Sequence, residues 1–112
     1  MLQKKHRLNK SKDIQNTSVR GRSFFSPNFV VKFRPDSAMA TRVAVVVSNY
    51  VSKKAVDRNR IKRLIREAMR LNISKLKAGD YVIIVRPKAR LADESIAKTG
   101  LLKLLQSLKL LN

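Results

Sequence analysis

The residues of this chain that could take part in chemistry are mostly cations, and their spacing suits phosphate binding better than bond breaking. The seven acids are Asp13, Asp36, Asp57, Glu67, Asp80, Asp93 and Glu94, scattered singly apart from the 93–94 pair. A two-metal nuclease centre needs converging carboxylates, and no D-x-D or D-x-E pair occurs. The one histidine, His6, lies in a basic N-terminal stretch where solvation is expected rather than general-base work. With no cysteine there is no thiolate ligand, nucleophile or disulfide. The three glycines form no phosphate-cradling loop. The sequence therefore carries no catalytic residue and no metal site of its own.

The cations concentrate in residues 53–70, which hold Lys53, Lys54, Arg58, Arg60, Lys62, Arg63, Arg66 and Arg70 against only Asp57 and Glu67. At 3.6 residues per turn, Ile61, Leu64, Ile65, Ala68 and Met69 share one side of a helix. Asn59, Arg63, Arg66 and Arg70 line the opposite side, with Lys62 beside them and Arg58 and Arg60 flanking. Like charges at i, i+3 and i, i+4 cost a helix about 0.2–0.5 kcal/mol per pair. A solvated helix normally mixes the signs, so a stripe this one-sided is expected to face a polyanion. Arginine dominates the second half, and its planar fork suits bidentate phosphate contact and base stacking.

The whole chain agrees with that reading. It carries a formal net charge of +19 over 112 residues, a balance that attracts phosphate backbones. Its 44% hydrophobic content is enough for a core, unlike that of a disordered basic tail. No apolar run approaches the ~18–20 residues of a membrane span, and no apolar signal core follows the basic N-terminus. A cytoplasmic protein of one domain, 1–112, is expected, with residues 1–10 a flexible basic leader.

The elements that must position the stripe follow from periodicity. Residues 11–19 read as a short helix capped by Ser11, with Asp13 in its first turn, Gly21 past its end, and a thin apolar side of Leu8, Ile14 and Val19. Residues 29–34 alternate, Phe29, Val31 and Phe33 against Val30, Lys32 and Arg34, and 35–37 read as a turn. Residues 42–48 form a β-branched run expected in a central strand buried on both faces. Residues 23–25 suggest a short edge strand, in which Phe24 and Phe25 are open between core and base platform. The basic helix spans about 52–72, 77–80 reads as a turn, and 81–85 as a buried strand stopped by Pro87. A last helix follows Leu91, with Asp93 and Glu94 at its start and a stripe of Leu101, Leu104, Leu105, Leu108 and Leu111. Leu102 and Leu110 lie off that stripe, a pattern also open to self-association. The order is that of an α+β sandwich.

Residues 51–68, VSKKAVDRNRIKRLIREA, preceded by Ser48, resemble the Arg-Asn-Arg signature of the protein subunit of bacterial ribonuclease P. Arg7-Leu8, the helix ending at Gly21, Phe29-Val30 and residues 81–87, YVIIVRP, fit the same family. The resemblance implies an α-β-β-β-α-β-α fold with a left-handed β-α-β crossover around the basic helix. It implies a protein that binds the catalytic RNA subunit, one copy per RNA, and contacts the 5′ leader of precursor tRNA between the opening helix and the sheet. Hydrolysis of the leader would then belong to the RNA, with Mg²⁺ bound mainly there. Carried over by motif, the RNA-binding set is Arg58, Asn59, Arg60, Lys62, Arg63 and Arg66; Arg70 is added by the stripe.

Two departures accompany the resemblance. Where the family often places aromatic residues along the leader cleft, this chain has Ile14, Ser18 and Lys32, with Lys32 offered to a leader phosphate in place of a ring. Where two basic residues commonly follow Ser48, it has Asn49 and Tyr50, and Tyr50 reads either as a turn residue or as a stacking surface. The competing readings are a structural RNA-binding protein, such as a small ribosomal protein, and a DNA-binding module. The latter expects a helix-turn-helix partner where strands flank the basic helix here.

Overall fold

The alternation at 29–34 sets the two sides of the molecule. In a computed structural model of the chain, which describes residues 6–8, 10–26, 29–35, 41–86 and 94–107, Phe29, Val31 and Phe33 are buried on one side. Val30, Lys32 and Arg34, on the other side, are half-buried. Along the chain come α1 (Ser11–Arg20), β1 (Arg22–Phe25), β2 (Phe29–Pro35), β3 (Arg42–Val46), α2 (Ala55–Leu71), β4 (Gly79–Val85) and α3 (Glu94–Ser107). The strands form one sheet in the order β1-β2-β4-β3. β1 with β2 and β2 with β4 are antiparallel, while β3 and β4 are parallel. A parallel pair needs a crossover connection, and α2 supplies it. The result is the expected mixed α+β domain, a four-stranded sheet between helices.

Two cores hold the layers. On one side Ile65 and Met69 of α2 and Leu101 and Leu105 of α3 close over Phe29, Val31, Phe33, Val43, Val45, Tyr81, Ile83 and Val85. Ala68 is buried and Ile61 packs at the margin, so the apolar stripe of the basic helix is its docking side as read. Leu102 and Leu104 also pack here, so Leu102 belongs to the docking face; Leu108, Leu110 and Leu111 lie outside the described residues. On the other side α1 lies over the sheet, and a smaller cluster joins Leu8, Ala44 and Val82 with Ile14 and Ile84. Val19, expected on the apolar side of α1, is instead exposed.

Several expectations are corrected. β3 is an edge strand, not a central one. A β-branched run reports burial of both faces, and helices on either side supply that burial at an edge as well as at the centre. The free edge of β3 is met by the N-terminal segment: Arg7 bridges Val43, and Leu8 N–H donates to the Val43 carbonyl at 2.9 Å. His6 Nδ1 donates to the Thr41 carbonyl at 2.7 Å, and Leu8 is buried, so residues 6–8 are docked where a mobile leader is expected.

Ser11 is the first helical residue rather than the cap; Lys10 holds the cap position without a side-chain bond. The basic helix starts at Ala55 because Ser52 serves its approach from outside. The Ser52 hydroxyl accepts from Lys54 N–H and donates to Asp57 Oδ2, each at 3.2 Å. Residues 79 and 80, expected in a turn, already belong to β4 and pair with Pro35 and Arg34. Gly79 has φ +151°, and a Cβ there would stand 2.5 Å from the Arg34 carbonyl oxygen. Asp36, Ser37, Pro87 and Asp93 lie outside the described residues.

Candidate nucleic-acid interface

The outer side of α2 follows from the docking of its inner side. With Ile65, Ala68 and Met69 against the sheet, Asn59, Arg60, Arg63 and Arg66 are exposed, and Arg58, Lys62 and Arg70 are half-buried. These seven residues do share one helix, but they are not equivalent. Arg58 Nη1 donates to the Ser52 carbonyl at 2.9 Å, tying the first turn to the loop before it. Arg70 closes on Glu67: its Nε reaches both carboxylate oxygens at 3.0 Å, and Nη2 also donates to Oε1. That bonding from Arg70 holds the Glu67 carboxyl down at about 2. Lys62, Arg63 and Arg66 make no ion pair or hydrogen bond through their side chains among the described residues.

Both acids of the segment are thus engaged locally, Asp57 by Ser52 and Glu67 by Arg70. The middle of the helix is left with cations that have no counter-charge among the described residues. An arrangement of this kind can grip phosphates through charge-assisted hydrogen bonds.

The α1 side of the sheet is organised differently. Arg42 on β3 grips Asp80 on β4 in a fork, Nε to Oδ1 and Nη2 to Oδ2, both at 2.8 Å. Its Nη1 also reaches Asp13 of α1 at 3.4 Å, so one guanidinium joins two strands and a helix. Asp80 is only 5% exposed, and its hydrogen bonding raises the Arg42 pKa further above its usual value. Lys32 Nζ donates to the Ser18 carbonyl at 3.2 Å and to Ser23 Oγ at 3.0 Å.

Of the three residues expected in the leader cleft, Ser18 and Lys32 therefore meet directly, whereas Ile14 is half-buried in the cluster under α1. Phe24 and Phe25, each open by sequence between core and base platform, are separated by strand pairing. Phe24 opposes Val31 and packs against the main core. Phe25 opposes Val30 on the α1 side and is 70% exposed. Arg86 Nη1 donates to the Ser26 carbonyl at 3.0 Å near this end of the sheet. The alternation of 22–25 holds the signal for Phe25, but only once its partner strand is known.

Among the described residues no three His, Asp or Glu side chains gather to hold a metal ion. Asp13 and Asp80 both pair with the Arg42 guanidinium. No helix among the described residues is long and apolar enough to cross a membrane.

Comparison with known proteins agrees with the motif. The family model described as Ribonuclease P matches residues 2–109. The "Ribonuclease P protein component" of Picosynechococcus sp. is 37% identical over 80% of this chain and 78% of its own length. That of Alkaliphilus metalliredigens is 30% identical over 99% of this chain and 100% of its own length. Among solved structures, the Staphylococcus aureus RNase P protein superposes with a TM-score of 0.87 at 30% identity, covering 96% of this chain and 98% of that one. The Thermotoga maritima RNase P protein gives 0.81 at 32% identity, covering 89% and 97%. By motif, fold and full-length similarity, the chain belongs to the ribonuclease P protein family.

Proposed function

We propose that this protein binds the RNA subunit of ribonuclease P through the outer side of α2, one copy per RNA, and helps it remove the 5′ leader of precursor tRNA. The observation that carries this reading is the row of cations Lys62, Arg63 and Arg66, without an acceptor among the described residues, on a helix whose two acids are already engaged. RNA phosphates are the counter-charge such a row lacks, and binding them releases counterions. Asn59, exposed in the same row, supplies hydrogen bonds where its neighbours supply charge. Arg60 adds charge at the margin, and Arg58 and Arg70 contribute less because each already has a protein acceptor.

The leader is proposed to run along the α1 side of the sheet, past Lys32, Ser18 and the exposed Phe25. An ammonium group has three donors, and Lys32 uses two on Ser18 and Ser23, leaving one for a phosphate. The Phe25 ring offers a stacking face that the aromatic-poor helix α1 does not. The protein supplies binding and orientation. Among the described residues Asp13, Asp80 and Glu67 are held by arginines and Asp57 by Ser52. The Mg²⁺ required for hydrolysis is proposed to be bound mainly by the RNA, in the cytoplasm where precursor tRNA is matured.

The test adds the protein to a bacterial ribonuclease P RNA at low Mg²⁺ and scores release of the 5′ leader. Cleavage that needs both components is the expected result. Tight RNA binding without stimulation of any RNA subunit would favour a structural RNA-binding protein instead.

A further inference from the structure

Tyr50 stands in the loop between β3 and α2 and is 86% exposed. Among the described residues it makes no hydrogen bond, ion pair or ring contact. Single exposed apolar side chains are ordinary on protein surfaces, so exposure alone says nothing. The surroundings of this one are more specific.

Its backbone is held on both sides. Val51 packs against the main core and its N–H donates to the Ser48 carbonyl at 3.1 Å. Two residues beyond Tyr50, the Ser52 carbonyl receives Arg58 Nη1, which fastens the loop to the first turn of the cationic helix. Lys53 and Lys54 follow in sequence, both exposed, and so does Val56. Asp57, the one acid of this stretch, is turned to the Ser52 hydroxyl. A ring on a loop fastened to the first turn of the cationic helix, with no partner among the described residues, is available to a base of an RNA held there by its phosphates. The other tyrosine shows the contrast: Tyr81 is buried and donates its hydroxyl to the Lys77 carbonyl.

We propose that Tyr50 is a stacking platform for one unpaired base of the RNA seated on α2, an inference that rests on the RNA-binding reading above. The cations grip phosphates regardless of structure, whereas a ring on the loop tied to the first turn of their helix favours RNA with a bulged or single-stranded nucleotide at that point. Tyr50 then helps set register on the RNA as well as adding one stack's worth of affinity.

The chain contains no tryptophan, so Tyr50→Trp places a single fluorescent reporter at the site. Titrating this variant with a ribonuclease P RNA should quench its emission saturably, with affinity close to that of the unaltered protein. Tyr50→Phe should bind as well as the original. Tyr50→Ala should bind about tenfold more weakly, within the range for loss of one base–aromatic stack, with an unchanged slope of log K against log[salt], since stacking releases no counterions. A bound Tyr50→Trp variant whose emission does not change, or a Tyr50→Ala variant that binds within twofold of the original, would overturn the stacking role while leaving the binding by α2 intact. Failure of the unaltered protein to bind would overturn both.

Discussion

Two sets of cations, one on each side of the sheet, are used in opposite ways. On the α1 side Arg42 is bound by Asp80 and Asp13, and Lys32 by Ser18 and Ser23. On the α2 side Lys62, Arg63 and Arg66 have no acceptor among the described residues. A net charge of +19 therefore exceeds the charge available to a partner. What marks a nucleic-acid surface is not the number of cations but which of them the fold leaves without an acceptor.

That contrast can be broken from either side, and the largest effect is expected at Arg42. Arg42→Ala would leave Asp80 buried without its forked partner, a loss of about 3–5 kcal/mol for a buried ion pair cut at one end. Denaturant unfolding measures it, and a change under about 0.5 kcal/mol would show that the network does not hold α1 to the sheet. On the other side, replacing Lys62, Arg63 and Arg66 together with Ala should leave the unfolding midpoint nearly unchanged, because alanine is a good helix former. The same variant should lose about a hundredfold in RNA-subunit affinity near physiological salt, three phosphate contacts' worth of counterion release.

A smaller effect is expected at Lys32. Lys32→Met should reduce the preference for precursor over mature tRNA by about fivefold, the contribution of one partly solvated charge contact. Equal losses for both RNAs would remove Lys32 from the leader path. The smallest effect is expected at Glu67. Glu67→Gln frees Arg70 and should raise RNA affinity by about twofold, the pair lying at the surface where solvent screens it. Arg70 holds the Glu67 carboxyl at about 2, below its ordinary 4.5. What the pair contributes is complete above the ordinary value and lost only as pH falls toward about 2. The twofold difference should thus be constant from about pH 5 to about pH 8, as paired binding curves would show.

Much of this division was hidden in the sequence for a definite reason. Periodicity reports which side of an element is buried, and on that basis the apolar stripe of α2 and the Phe29, Val31, Phe33 alternation were legible. It does not report what lies across a sheet. The Arg42–Asp80 fork spans 38 residues of sequence, and nothing local to either residue announces it. The edge position of β3 is likewise set by pairing with β4 and with Arg7, not by its own composition. Glycine and aspartate at 79 and 80 read as a turn because both are poor strand formers. Cross-strand pairing and the grip of Arg42 overrode that preference. The Arg-Asn-Arg segment was legible as a motif, but the distinction within it between Arg58, tied to Ser52, and Arg63, tied to nothing described, needed coordinates.

The most direct test of the contrast is the salt dependence of RNA-subunit binding, measured side by side for the unaltered protein and the Lys62, Arg63, Arg66 triple-alanine variant. If about five phosphates are neutralised, log K against log[salt] should fall with a slope of about −4 for the former. The variant's slope should be shallower by about 2–3, close to one unit per cation removed. Equal slopes for the two folded proteins would mean that RNA binds elsewhere, and that the unpaired row on α2 is not the interface.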